Sequence, residues 1–135
     1  IGSDNRRCSI VGVVTRRRLT AGRSRVVQRH IVGYSIQITG LEVKATDTAR
    51  CDTSVYNLQV RVRIYARDCG TCSWYLFADS GFKNCFNCPV HTRSHQAFCS
   101  GTRQYFSHTD GYRSFDGQVY IYLNGVSSAA TSISC

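Results

Sequence analysis

The stretch VYNLQVRVRIYAR, residues Val55 to Arg67, carries the clearest pattern in the sequence. Apolar side chains occupy every second position from Tyr56 to Ala66, and the positions between them are mostly Asn, Gln or Arg. Successive side chains of a β-strand point to opposite faces of its sheet. The alternation therefore predicts one long strand with an apolar face that is buried in the core and a basic face that is exposed.

Weaker strand patterns flank this stretch on both sides. The other predicted strands are Cys8–Thr15, Val26–Thr39 with a bulge or bend at Gly33, Leu41–Ala45 after a turn at Gly40, Ser73–Ala78, Arg103–His108 and Gln118–Leu123. We expect at most one short helical turn, within Asn87–Gln96, and loose chain over Val126–Ser134. Short, regularly spaced strands predict a mainly β fold, an antiparallel sandwich or small barrel.

Composition supports one folded domain over residues 1–135. Hydrophobic residues make up 42% and charged residues 19% of the chain, which excludes a disordered protein. No run approaches the roughly 18 apolar residues that a transmembrane helix needs. The first residues, Ile1–Asn5, show neither an initiator Met nor the apolar core of a signal peptide, so we expect a mature, processed product.

Cysteine is enriched, and its 8 residues allow two main chemistries. They are Cys8, Cys51, Cys69, Cys72, Cys85, Cys88, Cys99 and Cys135. Four disulfides would use all of them and indicate an oxidising compartment, which predicts a secreted protein. The alternative is a zinc site made by the two Cys-x-x-Cys motifs, Cys69/Cys72 and Cys85/Cys88, and it would leave the other four thiols without a role. A redox-active Cys69-Gly-Thr-Cys72 lacks the strand-to-helix context that such motifs have.

The disulfide framework is therefore our prediction, with no bound metal and no cofactor. Its connectivity stays open because eight cysteines allow about 105 pairings. We expect Cys8 and Cys135 to lie near each other or near Cys51. We also expect the stretch from Cys69 to Cys99 to be cross-linked within itself.

Positive charge is concentrated near the start of the chain. The formal net charge is +9, and 15 of the 17 basic residues are arginine. Eight arginines fall within residues 6–29, where they predict an anion-binding surface because a guanidinium holds oxyanions in pairs. The candidate binding residues are Arg16, Arg17, Arg18, Arg23, Arg25 and Arg29. The alternative is a solvated charged loop that only keeps the protein soluble.

Residues suited to acid–base catalysis are few. Glu42 is the only glutamate, and the four histidines are His30, His91, His95 and His108. Glu42 with His30, His91 or His108 and with Arg61 or Arg63 on a neighbouring strand has the residue types that RNA cleavage requires. His91 and His95 would share a face if their segment were helical. Asp110 and Asp116 lie in turn-like sequence, where Asp is common without a catalytic role. No catalytic residue is therefore assigned.

In composition the chain resembles the cysteine-rich effectors and antimicrobial toxins that fungi and other organisms secrete. That resemblance favours a secreted interaction protein over an enzyme, and we expect it to be a monomer. Its partner would be a protein or a polyanion, such as a glycan or lipid headgroups, with nucleic acid as a further option. Two alternatives stay open: a secreted ribonuclease that uses Glu42, and an intracellular zinc protein that binds nucleic acid.

Overall fold

The structure, a computed structural model, describes residues 7–11, 19–23, 27–31, 34–38 and 41–135. Its strands are β1 (Cys8–Val11), β2 (Leu19–Arg23), β3 (Val27–Ile31), β4 (Tyr34–Ile38), β5 (Leu41–Arg67), β6 (Tyr75–Asp79), β7 (Lys83–Cys99), β8 (Thr102–Ser114), β9 (Ile121–Ser127) and β10 (Thr131–Ser134). The described residues contain no helix, and thus none that could span a membrane. The predicted mainly β fold is confirmed as a curled antiparallel half-barrel.

Strand β5 organises the sheet because it pairs along both of its edges. Its first half lies between β7 on one side and β1 and β2 on the other. Its second half lies between β8 on one side and β6 and the start of β7 on the other. Strands β9 and β10 extend the sheet beyond β8, while β3 and β4 pair only with each other.

The buried face of β5 changes parity along the strand. Odd-numbered residues such as Val43 and Ala49 are buried in the first half, and even-numbered residues from Leu58 to Ala66 are buried in the second. The register with β7 shifts between Arg50, opposite Val90, and Val55, opposite Cys88, so β5 has three more residues than β7 there; an odd number of extra residues moves the side chains to the other face. The predicted apolar, buried face is therefore confirmed from Leu58 onward. Tyr56 is exposed and Asn57 is buried, which reverses the prediction at the shift.

Both halves of β5 contribute to the same core. One buried cluster combines Val43 and Ala45 with Val62, Ile64 and residues of β8 and β10. A second cluster joins Ala49 and Cys51 to Leu58, Val60 and residues of β1 and β9. The strand thus curls over its own buried face, and its two halves expose opposite outer faces to solvent.

Two sequence predictions were wrong about regular structure. Residues 87–96 form part of β7 and not a helical turn. Residues 126–134 contain the end of β9 and all of β10, and the latter pairs with β8, so this segment is not loose chain. Strand β7 was missed because its polar sequence shows little apolar alternation. It pairs only with β5 among the described strands, and Pro89 is tolerated in such an edge strand.

All eight cysteines are paired in four disulfides. The pairs are Cys8–Cys51, Cys69–Cys72, Cys85–Cys88 and Cys99–Cys135. The four cysteines of the alternative zinc site are thus bonded in disulfides within their own Cys-x-x-Cys motifs. Cys8 lies beside Cys51 as expected, but Cys99 leaves the Cys69–Cys99 stretch and bonds Cys135. Four disulfides fit a protein of an extracellular compartment.

Candidate functional site

The outer face of the second half of β5 carries a row of arginines. Arg61, Arg63 and Arg67, the arginine row, share one face of the strand with Tyr65, and the residues between them, Val62, Ile64 and Ala66, are buried on the other face. Side chains two residues apart on a strand are about 6.5 Å apart, so Arg61 and Arg63 are adjacent on this face, while Tyr65 separates Arg63 from Arg67. All three side chains are half-buried. The basic face predicted from the alternation is thus present.

Asp110 on β8 holds the start of this row. It lies opposite Arg61, and its side chain is only 5% exposed. Its Oδ1 accepts a hydrogen bond from Nε of Arg61 at 3.4 Å, and its Oδ2 accepts one from Arg63 at 3.1 Å. The hydroxyl of Tyr122 donates to the same Oδ2 at 2.9 Å. One buried carboxylate therefore fixes two guanidinium groups and partly neutralises them.

Aromatic rings hold the arginine row from the β6 side. The guanidinium of Arg61 lies 4.4 Å from the ring centre of Phe82, and that of Arg67 lies 4.4 Å from the ring centre of Trp74. The Nε of Arg67 also donates to Gln104 at 2.6 Å. Such stacking restricts the orientation of a guanidinium and leaves its edge free to meet an anion. Arg67 differs from the other two in having no carboxylate partner among the described residues.

His108 lies directly opposite Arg63 on the same outer face. Its Nδ1 is 2.7 Å from the hydroxyl of Ser127. Burial lowers the pKa of His108 from its ordinary value, Asp110 opposes this shift, and the charges of Arg63 and Arg61 add to it. The environment of His108 therefore favours the uncharged form of its ring.

A second row crosses the sheet next to the arginines. Asn84 of β7 lies opposite Gln59 of β5, which lies opposite Tyr112 of β8, which lies opposite Tyr122 of β9. We call these four residues the amide–tyrosine row. The amide oxygen of Asn84 accepts hydrogen bonds from Gln59 at 2.9 Å and from Asn57 at 3.1 Å.

A third group lies on β7, where His91, Arg93 and His95 alternate along the strand. His91 and His95 were expected to share a face only if their segment were helical. A strand achieves the same result because residues four apart are again on one side. Burial lowers the pKa of both histidines, and the nearby charge of Arg93 adds to the effect. The ring Nε2 of His91 lies 3.1 Å from the carbonyl oxygen of Lys83.

Most of the predicted binding residues lie outside the described part of the chain. Arg16, Arg17, Arg18 and Arg25 are not described at all. Arg23 ends β2 opposite Leu41, and Arg29 lies in β3 opposite Ile36, with side chains that are not described. The N-terminal anion-binding surface therefore stays a prediction.

The residues considered for RNA cleavage are only partly brought together. His108 and Arg63 are neighbours across β5 and β8. Glu42 instead lies opposite Phe98 in the first half of β5, on the outer face that points away from the arginine row. His30 lies in β3, opposite Ser35. The described residues contain no group of three or more His, Cys, Asp or Glu side chains arranged to hold a metal ion.

Sequence reasoning missed Asp110 as a member of the site. The interpretation as a turn residue was wrong, because Asp110 lies inside β8 and is buried. Asp116 does lie in a turn, where its carboxylate accepts hydrogen bonds from the backbone of Gln118 and Val119. The signal for Asp110 was its position two residues beyond His108, which places both side chains on one face if the predicted strand continues.

No family model matches the chain, and neither a curated protein nor a solved structure is detectably similar to it. Its function is therefore inferred from its own residues.

Proposed function

We propose that this protein is a secreted, disulfide-stabilised binding protein of the effector or toxin type that attaches to a polyanion on its target. The observation that carries the proposal is the arginine row, in which Arg61, Arg63 and Arg67 share one outer face and are held by rings and by Asp110. Guanidinium groups fixed in this way lose little conformational entropy when they meet sulfate, phosphate or carboxylate oxygens.

Two further features support the same function. The N-terminal segment, residues 6–29, contains eight more arginines, which raise the positive charge that attracts a polyanion. Four disulfides keep the sheet folded outside a cell, where sulfated glycans and anionic headgroups are exposed. Arg67 is the sharpest test position because no described carboxylate competes for it.

The test is affinity chromatography on heparin with a NaCl gradient. We expect Arg67→Gln and the triple change of Arg16, Arg17 and Arg18 to Gln each to elute at a lower NaCl concentration than the wild type. Binding releases fewer counterions when a contact is lost. The magnitude of the slope of log K against log [NaCl] therefore decreases by on the order of 1 for each lost contact.

The matched control is Arg50→Gln. Arg50 is exposed on the same strand but on the other outer face, and its loss changes the net charge by the same amount as that of Arg67. Elution of Arg50→Gln should differ less from the wild type than that of Arg67→Gln. Equal shifts for the two single variants would assign retention to overall charge and remove the proposed site.

A further inference from the structure

The amide–tyrosine row has hydrogen-bonding capacity that the fold does not use. Among the described residues, the side-chain NH2 group of Asn84 and the amide oxygen of Gln59 have no hydrogen-bond partner. Each amide carries two donors and an acceptor with two lone pairs. Asn84 is exposed and Gln59 is half-buried, so a ligand can reach both groups.

Asn57, beneath this row, adds an independent sign of a binding site. It is only 2% exposed, and its side-chain oxygen has no hydrogen-bond partner although the atom is buried. Its NH2 group donates to Asn84 at 3.1 Å and to the hydroxyl of Tyr120 at 3.2 Å. An unpaired buried acceptor destabilises the folded protein, so a ligand or a rearranged side chain that brings a donor to it relieves that cost.

Exposed aromatic rings border these amides on two sides. Tyr56 and Phe86 are in edge-to-face contact with ring centres 5.6 Å apart, and Phe86 lies opposite Asn57 on the next strand. On the other side, Tyr120 contacts Asn57 and Tyr122 packs against Tyr112 with ring centres 5.3 Å apart. Rings left in water beside polar groups provide flat apolar surfaces for a ligand that is itself partly apolar.

We propose that the amide–tyrosine row, with Asn57 and the bordering rings, binds a neutral sugar residue of a glycan chain. A pyranose ring has C–H faces that pack on aromatic rings, and its hydroxyls both donate to and accept from amides. The row contains no charged side chain. The guanidinium of Arg61, two residues beyond Gln59 on β5, is bonded to Asp110 and stacked on Phe82, and Asp110 also bonds Arg63 and Tyr122. A neutral ligand thus matches this end of the surface better than the phosphate track of a nucleic acid.

The inference is independent of the proposed polyanion binding and is tested where that binding is suppressed. In about 0.5 M NaCl the Debye length is only a few ångströms, so electrostatic attraction to a polyanion is weak. The probes are four neutral hexasaccharides: cellohexaose, laminarihexaose, chitohexaose and mannohexaose. Each is titrated into the oxidised protein and followed by two-dimensional ¹⁵N–¹H NMR, which resolves the side-chain amides.

We expect at least one hexasaccharide to shift the side-chain amide signals of Asn57, Gln59 and Asn84. Asn84→Ala and Phe86→Ala should weaken that binding about tenfold, the loss of roughly 1.4 kcal/mol that one good contact provides. The matched controls are Gln96→Ala and Phe98→Ala, an exposed amide and an exposed ring near the far end of β7. Phe98 is 60% exposed and Phe86 is 54% exposed, so the two changes remove similar surface.

Three results would overturn the inference. The first is that none of the four hexasaccharides shifts the amide signals. The second is that the two test variants bind as tightly as the two controls. The third is that a single-stranded oligonucleotide binds the same amides more tightly in the same salt, which would assign the row to nucleobases. Polyanion binding to heparin at low salt can persist in all three cases, so the two proposals fail separately.

Discussion

Asp110 shows how the environment of one carboxylate determines its contribution to the fold. It receives hydrogen bonds from Arg61, Arg63 and Tyr122. Asp68 also pairs with an arginine, Arg103, at 3.1 Å, but its side chain is 69% exposed. Solvent screens an exposed ion pair strongly, whereas loss of one partner from a buried pair leaves the remaining charges uncompensated.

Replacement of Asp110 by Asn should therefore destabilise the protein more than replacement of Asp68 by Asn. We expect a loss of about 1–3 kcal/mol for Asp110→Asn, because its two arginines are still partly solvated, and less than about 0.5 kcal/mol for Asp68→Asn. Urea unfolding of both variants with the disulfides intact measures the difference. Similar losses for the two variants would contradict this account of Asp110.

At the scale of the element, β7 carries two histidines that should make the fold sensitive to acid. Burial lowers the pKa of His91 and His95 in the folded protein below the ordinary value of 6.5. As the pH falls below that value, the unfolded chain takes up protons before the folded chain does. The free energy of unfolding must then decrease with falling pH, since protons bind preferentially to the unfolded state.

The double variant His91→Gln/His95→Gln should show a shallower decrease in the free energy of unfolding between about pH 7.5 and 5. His108, whose pKa is also lowered by burial, stays in place and keeps part of the slope. The measurement is a series of urea unfolding curves across this pH range for the wild type and the double variant. An unchanged slope would show that these two histidines do not cause the acid sensitivity.

Strands β5 and β8 also show what could be predicted from sequence. The second half of β5 was predictable because Leu58, Val60 and Val62 alternate with polar residues. The predicted strand Leu41–Ala45 is the start of the same β5, but the continuation through residues 46–54 was not predictable, because the inward positions there include Asp47 and Ala49, which give a weak apolar signal. Thr109-Asp110-Gly111 is typical of a turn, yet these residues pair with β5 in mid-strand.

The candidate site was predictable only in part for a related reason. The alternation along β5 is enough to place Arg61, Arg63 and Arg67 on one face, because it is a local pattern. The partners that give this face its chemistry come from β7, β8 and β9, which are distant in sequence. Only the register of the sheet brings Asn84, Gln59, Tyr112 and Tyr122 into one row.

For the molecule as a whole, the four disulfides should contribute very unequally to stability. Cys99–Cys135 closes a loop with a sequence separation of 36, whereas Cys69–Cys72 spans a separation of 3. Loop-closure entropy in the unfolded chain gives about 4 kcal/mol for the first and about 2 kcal/mol for the second.

The paired variants Cys99→Ser/Cys135→Ser and Cys69→Ser/Cys72→Ser leave no odd thiol and allow a direct comparison. We expect the first variant to lose about 2 kcal/mol more stability than the second, measured by guanidinium unfolding. The opposite order would mean that the short Cys69–Cys72 bridge acts through the folded state and not through the unfolded chain.

The central position of β5 also has a consequence for how the chain reaches its fold. Strand β5 pairs with β1 before it and with β8 after it, so its neighbours span the chain from Cys8 to Ser114. During synthesis the second half of β5, an apolar, strand-forming segment, has an unpaired edge until β8 has been made up to residue 114. Such non-local pairing makes folding slow and leaves a transient edge open to aggregation. A chaperone that covers the open edge, or a disulfide that forms early, would therefore improve the yield of folded protein.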